Sequence, residues 1–237
     1  MLMLSVDSSA APASVCLLED GKVIADYYLN TGFTHSQTLM AMTESVLKIS
    51  GRSASDIDVY AVNSGPGSFT GVRIGVSAVK GMAYAADKPC IEVSTLESMA
   101  YNSLGSHAVI CACMDARRQQ VYNALFRVDG VRIERLCDDR AISIDELLTE
   151  LNTINGEIIL VGDGAELVFS RADNPAVQLA APNLRYQRAS SAAAAALEKY
   201  NRGESVSPAA LTPRYLRLSQ AERERNAKQS EKDGTLV

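Results

Sequence analysis

The run Gly65-Pro66-Gly67-Ser68-Phe69-Thr70-Gly71-Val72-Arg73-Ile74-Gly75 sets the strongest local constraint on this chain. Val59 to Val62 before it is apolar and β-branched, the pattern of a strand. Val72 to Ala86 after it carries small and aliphatic residues on one face, the pattern of a helix. A strand that turns through glycines into a helix start aims free N–H groups and the positive end of the helix dipole at one spot, a geometry that cradles phosphate. No Lys-Ser or Lys-Thr pair follows the last glycine, so the run is not a Walker-type loop, and it does not match the dinucleotide fingerprint. Glycines equally serve close packing. Gly71 and Gly75, four apart on one helix face, would let the helix press against a sheet. Taken alone, the loop leaves phosphate contact and packing both open.

At 237 residues the chain has room for one large domain or two lobes. Hydrophobic residues make up 47% and charged residues 22%, ordinary values for a globular protein, and the absence of Trp points to an aliphatic, Ala-rich core. The net charge of −5 argues against nucleic acid as an independent ligand, because neutralising phosphates takes clustered Lys and Arg. Cys16, Cys90, Cys111, Cys113 and Cys137 are odd in number and lack paired zinc spacing, so they are expected as reduced thiols, with Cys111 and Cys113 on one face of a strand. Met1 to Val6 is too short for a signal peptide, and no run of about 18 apolar residues occurs that would span a membrane. A cytoplasmic location, without membrane contact, is expected.

Leu2 to Asp7 is a strand, and Ala13–Leu18 and Lys22–Leu29 are two more, joined by the hairpin signal Asp20-Gly21. His35 to Ser50 has helical spacing, with Gly51 placed to end it. The strand at Val59, the glycine loop and the long helix follow. Cys90 to Val93 is a strand, and Ser94-Thr95-Leu96-Glu97 is a capping box opening a helix to about Leu104. From Gly105 the order repeats. Ala108–Met114, Gln120–Val128 and Val131–Leu136 are strands. Ser143-Ile144-Asp145-Glu146 caps a helix to about Asn152, Glu157–Val161 is a strand ending at Gly162-Asp163-Gly164, and Ser190–Tyr200 is an Ala-rich helix. Three antiparallel strands followed by alternating helices and parallel strands describe a mixed α/β sheet. The duplication places an N-terminal lobe at 1–104, a C-terminal lobe at 105–218 and a polar tail at 219–237.

Leu4-Ser5-Val6-Asp7-Ser8-Ser9, His35-Ser36-Gln37, the glycine run, Asp115-Ala116-Arg117 and Thr212-Pro213-Arg214-Tyr215-Leu216-Arg217 together resemble the TsaB (YeaZ) family of tRNA threonylcarbamoyladenosine biosynthesis proteins. The resemblance implies a two-lobed fold of the actin-like ATPase, ribonuclease H-like type, with helices on both faces of the sheet in each lobe. It also implies a non-catalytic partner of TsaD, the paralogue that transfers the threonylcarbamoyl group to adenosine beside the anticodon. TsaE would join the assembly, tRNA would be met only through it, and a homodimer would form through the same surface when TsaD is absent. No cofactor would be required by the isolated chain, with ATP or ADP entering only in the complex.

The paralogue's metal site resembles a helix bearing two histidines four residues apart, on one face. Here His35 opens the corresponding helix but Leu39 stands at the second position, so neither a catalytic residue nor a metal site is expected. Candidate nucleotide contacts are Asp7, Ser8, Gly65, Gly67, Ser68 and Thr70; Asp7 and Ser8 equally suit a strand-end turn stabilised by their own side chains. Helix 35–50 carries more apolar residues than one stripe needs, so His35, Leu39, Met42, Val46 and, from the next helix, Ile74 are the expected association surface. Asp115 and Arg117 are placed to pair with each other at the lobe junction. Two rival readings remain: an ATP-binding or ATP-hydrolysing enzyme, which lacks a placed phosphate lysine, and a peptidase related to the glycoproteases, which lacks the second histidine.

Overall fold

The computed structural model describes residues 1–217, so the polar stretch 219–237 lies outside the described residues. The first sheet runs β3-β2-β1-β4-β5, from β1 (Leu2–Asp7), β2 (Ala13–Glu19), β3 (Lys22–Leu29), β4 (Val59–Gly65) and β5 (Cys90–Ser94). The first three strands are antiparallel, and β4 and β5 add in parallel. The Asp20-Gly21 turn takes positive φ at both residues, as a two-residue hairpin demands. Helices α1 (His35–Ile49) and α2 (Phe69–Ala86) cover one face, packing on Leu4, Val6, Val15, Leu17, Tyr60 and Val62. Strand β1 is buried along its whole length, the polar Ser5 and Asp7 included, so both of its faces are covered.

The second sheet repeats the first. Its order is β11-β10-β6-β7-β8, with β6 (His107–Asp115), β7 (Gln120–Asp129), β8 (Arg132–Arg135), β10 (Ile158–Val161) and β11 (Val177–Leu179). A further short strand, β9 (Arg140–Ser143), pairs with the first half of β7 while β8 takes the second half. The odd positions Val109, Cys111 and Cys113 of β6 face α4 (Ile144–Leu151) and α5 (Ala165–Phe169). The capping box at Ser143 is complete, with Ser143 and Glu146 each engaging the other's backbone N–H. The two-lobed, actin-like architecture that the family resemblance implies, and that the duplicated order matches, is what the chain forms.

The middle layer departs from the sequence-based lobes. Helix α3 (Thr95–Ala100) follows the first sheet, yet Leu96, Met99 and Ala100 cover the even face of β6 and β7 in the second. Helix α7 (Ala189–Asn201) follows the second sheet and the short α6 (Pro182–Arg185). Its Ala189, Ala193, Ala195 and Ala196 pack on Met3, Cys16, Val59 and Ala61 of the first. Each lobe therefore supplies the inner helix of the other. The first sheet ends at Ser94 and the second begins at His107, while α7 and Val206 return to pack on the first. The alanines of α7 do not state which sheet they will meet; their small size only allows a close approach. The helix expected to reach Leu104 stops at Ala100 and tightens to a 3₁₀ turn over Tyr101–Ser103. Ser94 accepts from the Glu97 N–H, but the Glu97 carboxylate turns instead to Arg135 and Lys199, so the capping box is one-sided.

Candidate functional site

The carboxyl ends of β1 and β4 and the turn after β6 converge on an open cleft of about 840 Å³ between the lobes. Its walls are the turn Ser9–Ala11, the starts of α1 and α2, the turn Met114–Arg117, Asp163 and the C-terminal segment Arg214–Arg217.

The glycine run forms the floor and is packed shut by its own chain. Ser68 caps α2 with its side chain accepting from the Gly71 N–H, while its own N–H donates to the Ser9 carbonyl at 2.7 Å. Ser8 Oγ donates to the Gly71 carbonyl at 2.8 Å. A Cβ on Gly67 would stand 2.3 Å from the Ser9 carbonyl oxygen, and one on Gly71 would stand 2.1 Å from that of Ser8. These two glycines admit the Asp7-Ser8-Ser9 turn against the helix start. Gly65, at φ +124°, passes equally close to the Arg214 carbonyl oxygen, which a Cβ would meet at 2.3 Å. The candidate contacts Asp7, Ser8, Gly67 and Ser68 are thus brought together, with the Ser8 hydroxyl and both the hydroxyl and the N–H of Ser68 bonded within the chain. Thr70 is exposed on the cleft wall. Asp7 is fully buried; its Oδ1 accepts from the Ser9 N–H, and burial pushes the carboxyl above the ordinary aspartate range. A carboxylate that is costly to ionise, beneath donors already engaged, fits a packing turn better than a phosphate cradle.

His35 lies at the mouth, its Nε2–H donating to the Ala10 carbonyl at 2.7 Å, since a carbonyl can only accept. Among the described residues no three His, Cys, Asp or Glu side chains gather as a metal site. Asp115 and Arg117 do pair, at 3.1 Å, and Asp115 also accepts from the Arg117 N–H. That turn holds Arg117, Arg118 and Gln119 all at positive φ and sets Arg117 on the cleft wall. Cys111 and Cys113 share a face as expected, with sulfurs 3.4 Å apart, and that contact together with burial raises the Cys111 thiol well above its usual range.

The expected association surface needs correction. Leu39, Met42 and Val46 are 1%, 8% and 0% exposed and face the sheet, so they are core and cannot meet a partner while the lobe is folded. The large apolar residues of α1 that remain outside are Met40 and Ile49, at 50% and 71% exposure. Ile74 is half-buried and lines the cleft beside exposed Phe33.

Sequence reasoning missed the part played by the C-terminal segment. Val206 pairs with Cys90 at the edge of the first sheet, Lys80 holds the Ala209 and Leu211 carbonyls, and Leu211 is buried beneath. Arg214 then clasps Glu92, and its N–H donates to the Ser64 carbonyl at 2.7 Å. Tyr215 stacks on Phe69 with centroids 4.7 Å apart, and Arg217 crosses to the second lobe, donating to the Ala116 carbonyl. The signal available in the sequence was the density of Arg and Tyr after Pro213.

A family profile described as "TsaD: tRNA N6-adenosine threonylcarbamoyltransferase" matches residues 30–224. The tRNA threonylcarbamoyladenosine biosynthesis protein TsaB of Escherichia coli is 36% identical over 167 residues, covering 69% of this chain and 72% of that protein. The protein of the same name from Haemophilus influenzae is 28% identical, over 92% of this chain and 94% of its own. The crystal structure of YeaZ from Pseudomonas aeruginosa superposes with a TM-score of 0.78 at 26% identity, covering 91% of this chain and 99% of that one.

Proposed function

Since the chain belongs to the TsaB family of tRNA threonylcarbamoyladenosine biosynthesis proteins, within the wider TsaD-related family, we propose that it acts as the non-catalytic partner of TsaD. In this role it binds the transferase through the outer faces of α1 and α2 and holds it in its active form. TsaE joins the same assembly, and tRNA is met only through the complex. In the absence of TsaD a second copy of this chain takes the same face. The isolated chain needs no nucleotide; ATP or ADP would touch it only once assembled. The place of work is the cytoplasm, and among the described residues no helix is long and apolar enough to cross a membrane.

The observation that carries the reading is the closed glycine floor. A nucleotide-hydrolysing site needs donors free to meet phosphate oxygens, whereas here the Ser68 N–H and the Gly71 N–H are taken up within the chain. Leu39, buried in the core where the paralogue's pattern resembles a second histidine, and the commitment of His35 to Ala10 support the same view against a metallopeptidase. Sizing chromatography of the chain, alone and mixed with TsaD, tests it together with calorimetric titration of ATP and magnesium. A stable mixed complex and no micromolar nucleotide binding by the isolated chain are expected. Tight ATP binding, or separate elution of the two proteins, would refute the reading.

A further inference from the structure

We propose that Arg73 is the polar anchor of the partner face, its guanidinium held in place by the C-terminal segment to receive a carboxylate of the partner subunit. This rests on the reading of the chain as a partner subunit.

Arg73 is exposed on α2, one turn beyond the cap of that helix. Its guanidinium carbon lies 3.7 Å from the Phe69 ring centroid, and its Nε–H donates to the Tyr215 hydroxyl at 2.7 Å. Tyr215 is itself fixed by stacking on Phe69 and by the neighbouring anchorage of Arg214 on Glu92 and Ser64. A long flexible side chain is thereby set in one orientation before any partner arrives, so the ordering cost falls on the free subunit rather than on association. Among the described residues, the hydrogen bond of Arg73 is to Tyr215, and no carboxylate lies within ion-pair reach of it. Neighbouring arginines contrast with it: Arg117 pairs with Asp115 and Arg214 with Glu92. Among the described residues nothing bonds the two terminal nitrogens of Arg73, which suit the two parallel bonds that a carboxylate takes best.

The surroundings match the part. Phe33, 67% exposed, and Ile74 stand on the same cleft wall as Phe69 and Tyr215. An arginine oriented against two aromatic rings, next to a cleft with an exposed aromatic and an aliphatic side chain, is the composition that concentrates binding energy in protein interfaces. A carboxylate is favoured over a tRNA phosphate because the chain as a whole carries a net charge of −5, which repels nucleic acid beyond the range of one arginine.

The test uses the full chain and its TsaD counterpart, with affinity measured by calorimetry. Arg73→Ala should weaken binding by roughly tenfold to a hundredfold, the range for an interface arginine, with its thermal unfolding unchanged. Arg73→Lys should recover little of the loss, since an ammonium cannot offer the paired geometry. Tyr215→Phe, which keeps the ring and removes only the hydroxyl that holds Arg73, should weaken binding although Arg73 is still present, and a purely local packing role for Tyr215 would not produce that result. Wild-type binding with Arg73→Ala within twofold of it would overturn the anchor alone. Loss of tRNA by the assembled complex, with subunit affinity intact, would also overturn it in favour of phosphate recognition. Failure of the wild-type chain to bind TsaD would overturn the partner reading and the anchor together.

Discussion

Three glycines on one helix separate close packing from helix propensity. Gly71, Gly75 and Gly81 all lie within α2, where replacing Gly by Ala ordinarily stabilises by up to about 1 kcal/mol. Their surroundings differ. A Cβ at Gly81 meets nothing within 4 Å. At Gly75 it meets Ser8 Oγ at 2.5 Å, the end of a side chain that can rotate if it gives up its bond to the Gly71 carbonyl. At Gly71 it meets the Ser8 backbone oxygen at 2.1 Å, with the His35 ring and Ser68 Cβ each at 3.3 Å. Ordinary contact needs roughly 3.5 Å, so the helix start and the Ser8 turn must part by more than an ångström. That opens the floor of the cleft and lengthens the bonds from Ser68 and Ser8. Overpacking of this kind costs about 1–3 kcal/mol, and a lost hydrogen bond adds about 1 kcal/mol more. Against the propensity gain, Gly71→Ala should destabilise by about 1–3 kcal/mol, a fall in Tm of several degrees for a chain of this size. Gly75→Ala should lie near neutral, and Gly81→Ala should raise Tm slightly. Urea and thermal unfolding of the three variants give the ranking directly. Equal stabilisation by all three would show that the Ser8 turn does not bear on α2, and the packing account of the glycine run would be wrong.

On the outer face of α1, Ile49→Glu should leave Tm within about 1 °C and weaken association in sizing chromatography. Val46→Glu should unfold the lobe, as circular dichroism would show, because an isolated buried charge costs several kcal/mol. Asp7 gives a pH dependence of defined sign. Burial raises its folded pKa above the unfolded value, so its contribution is intact below the ordinary aspartate pKa and is lost as pH rises through the folded one. Asp7→Asn, which keeps an oxygen for the Ser9 N–H, should therefore be more stable than wild type in urea at pH 8, with the gap closing toward pH 4. Ser143→Ala removes the side-chain half of the capping box on α4, leaving the Glu146 carboxylate on the N–H of residue 143, and should cost about 1 kcal/mol, read as a lower urea midpoint.

Most elements were legible because their signals are local. The Asp20-Gly21 hairpin, the Ser143–Glu146 box and the duplicated strand order all appear where the residues place them. Strands β9 and β11 were not anticipated, being short and, around Arg140, rich in charge whose use is tertiary: Arg140 bonds Asn123 and pairs with Glu150. The exchange of inner helices was hidden for a different reason, since an alanine face fits either sheet. The α1 stripe Leu39, Met42 and Val46 was seen as apolar, but apolarity alone does not separate a core stripe from a partner surface. At the cleft, Gly67 and Gly71 could be read as packing or phosphate-binding, and the deciding neighbours, Ser8 and Ser9, lie far away in sequence. Gly65 was further out of reach, because its tight neighbour is Arg214, in a segment whose fold depends on Glu92, Ser64 and Phe69.

The central claim is that this chain supports a threonylcarbamoyl transfer that it does not itself perform. Reconstitution with TsaD and TsaE, threonylcarbamoyl adenylate and a substrate tRNA, with and without this chain, measures it directly. The account predicts that modified adenosine accumulates only when TsaD and this chain are both present, and that this chain without TsaD makes none. Transfer by this chain alone, or full TsaD activity in its absence, would contradict it.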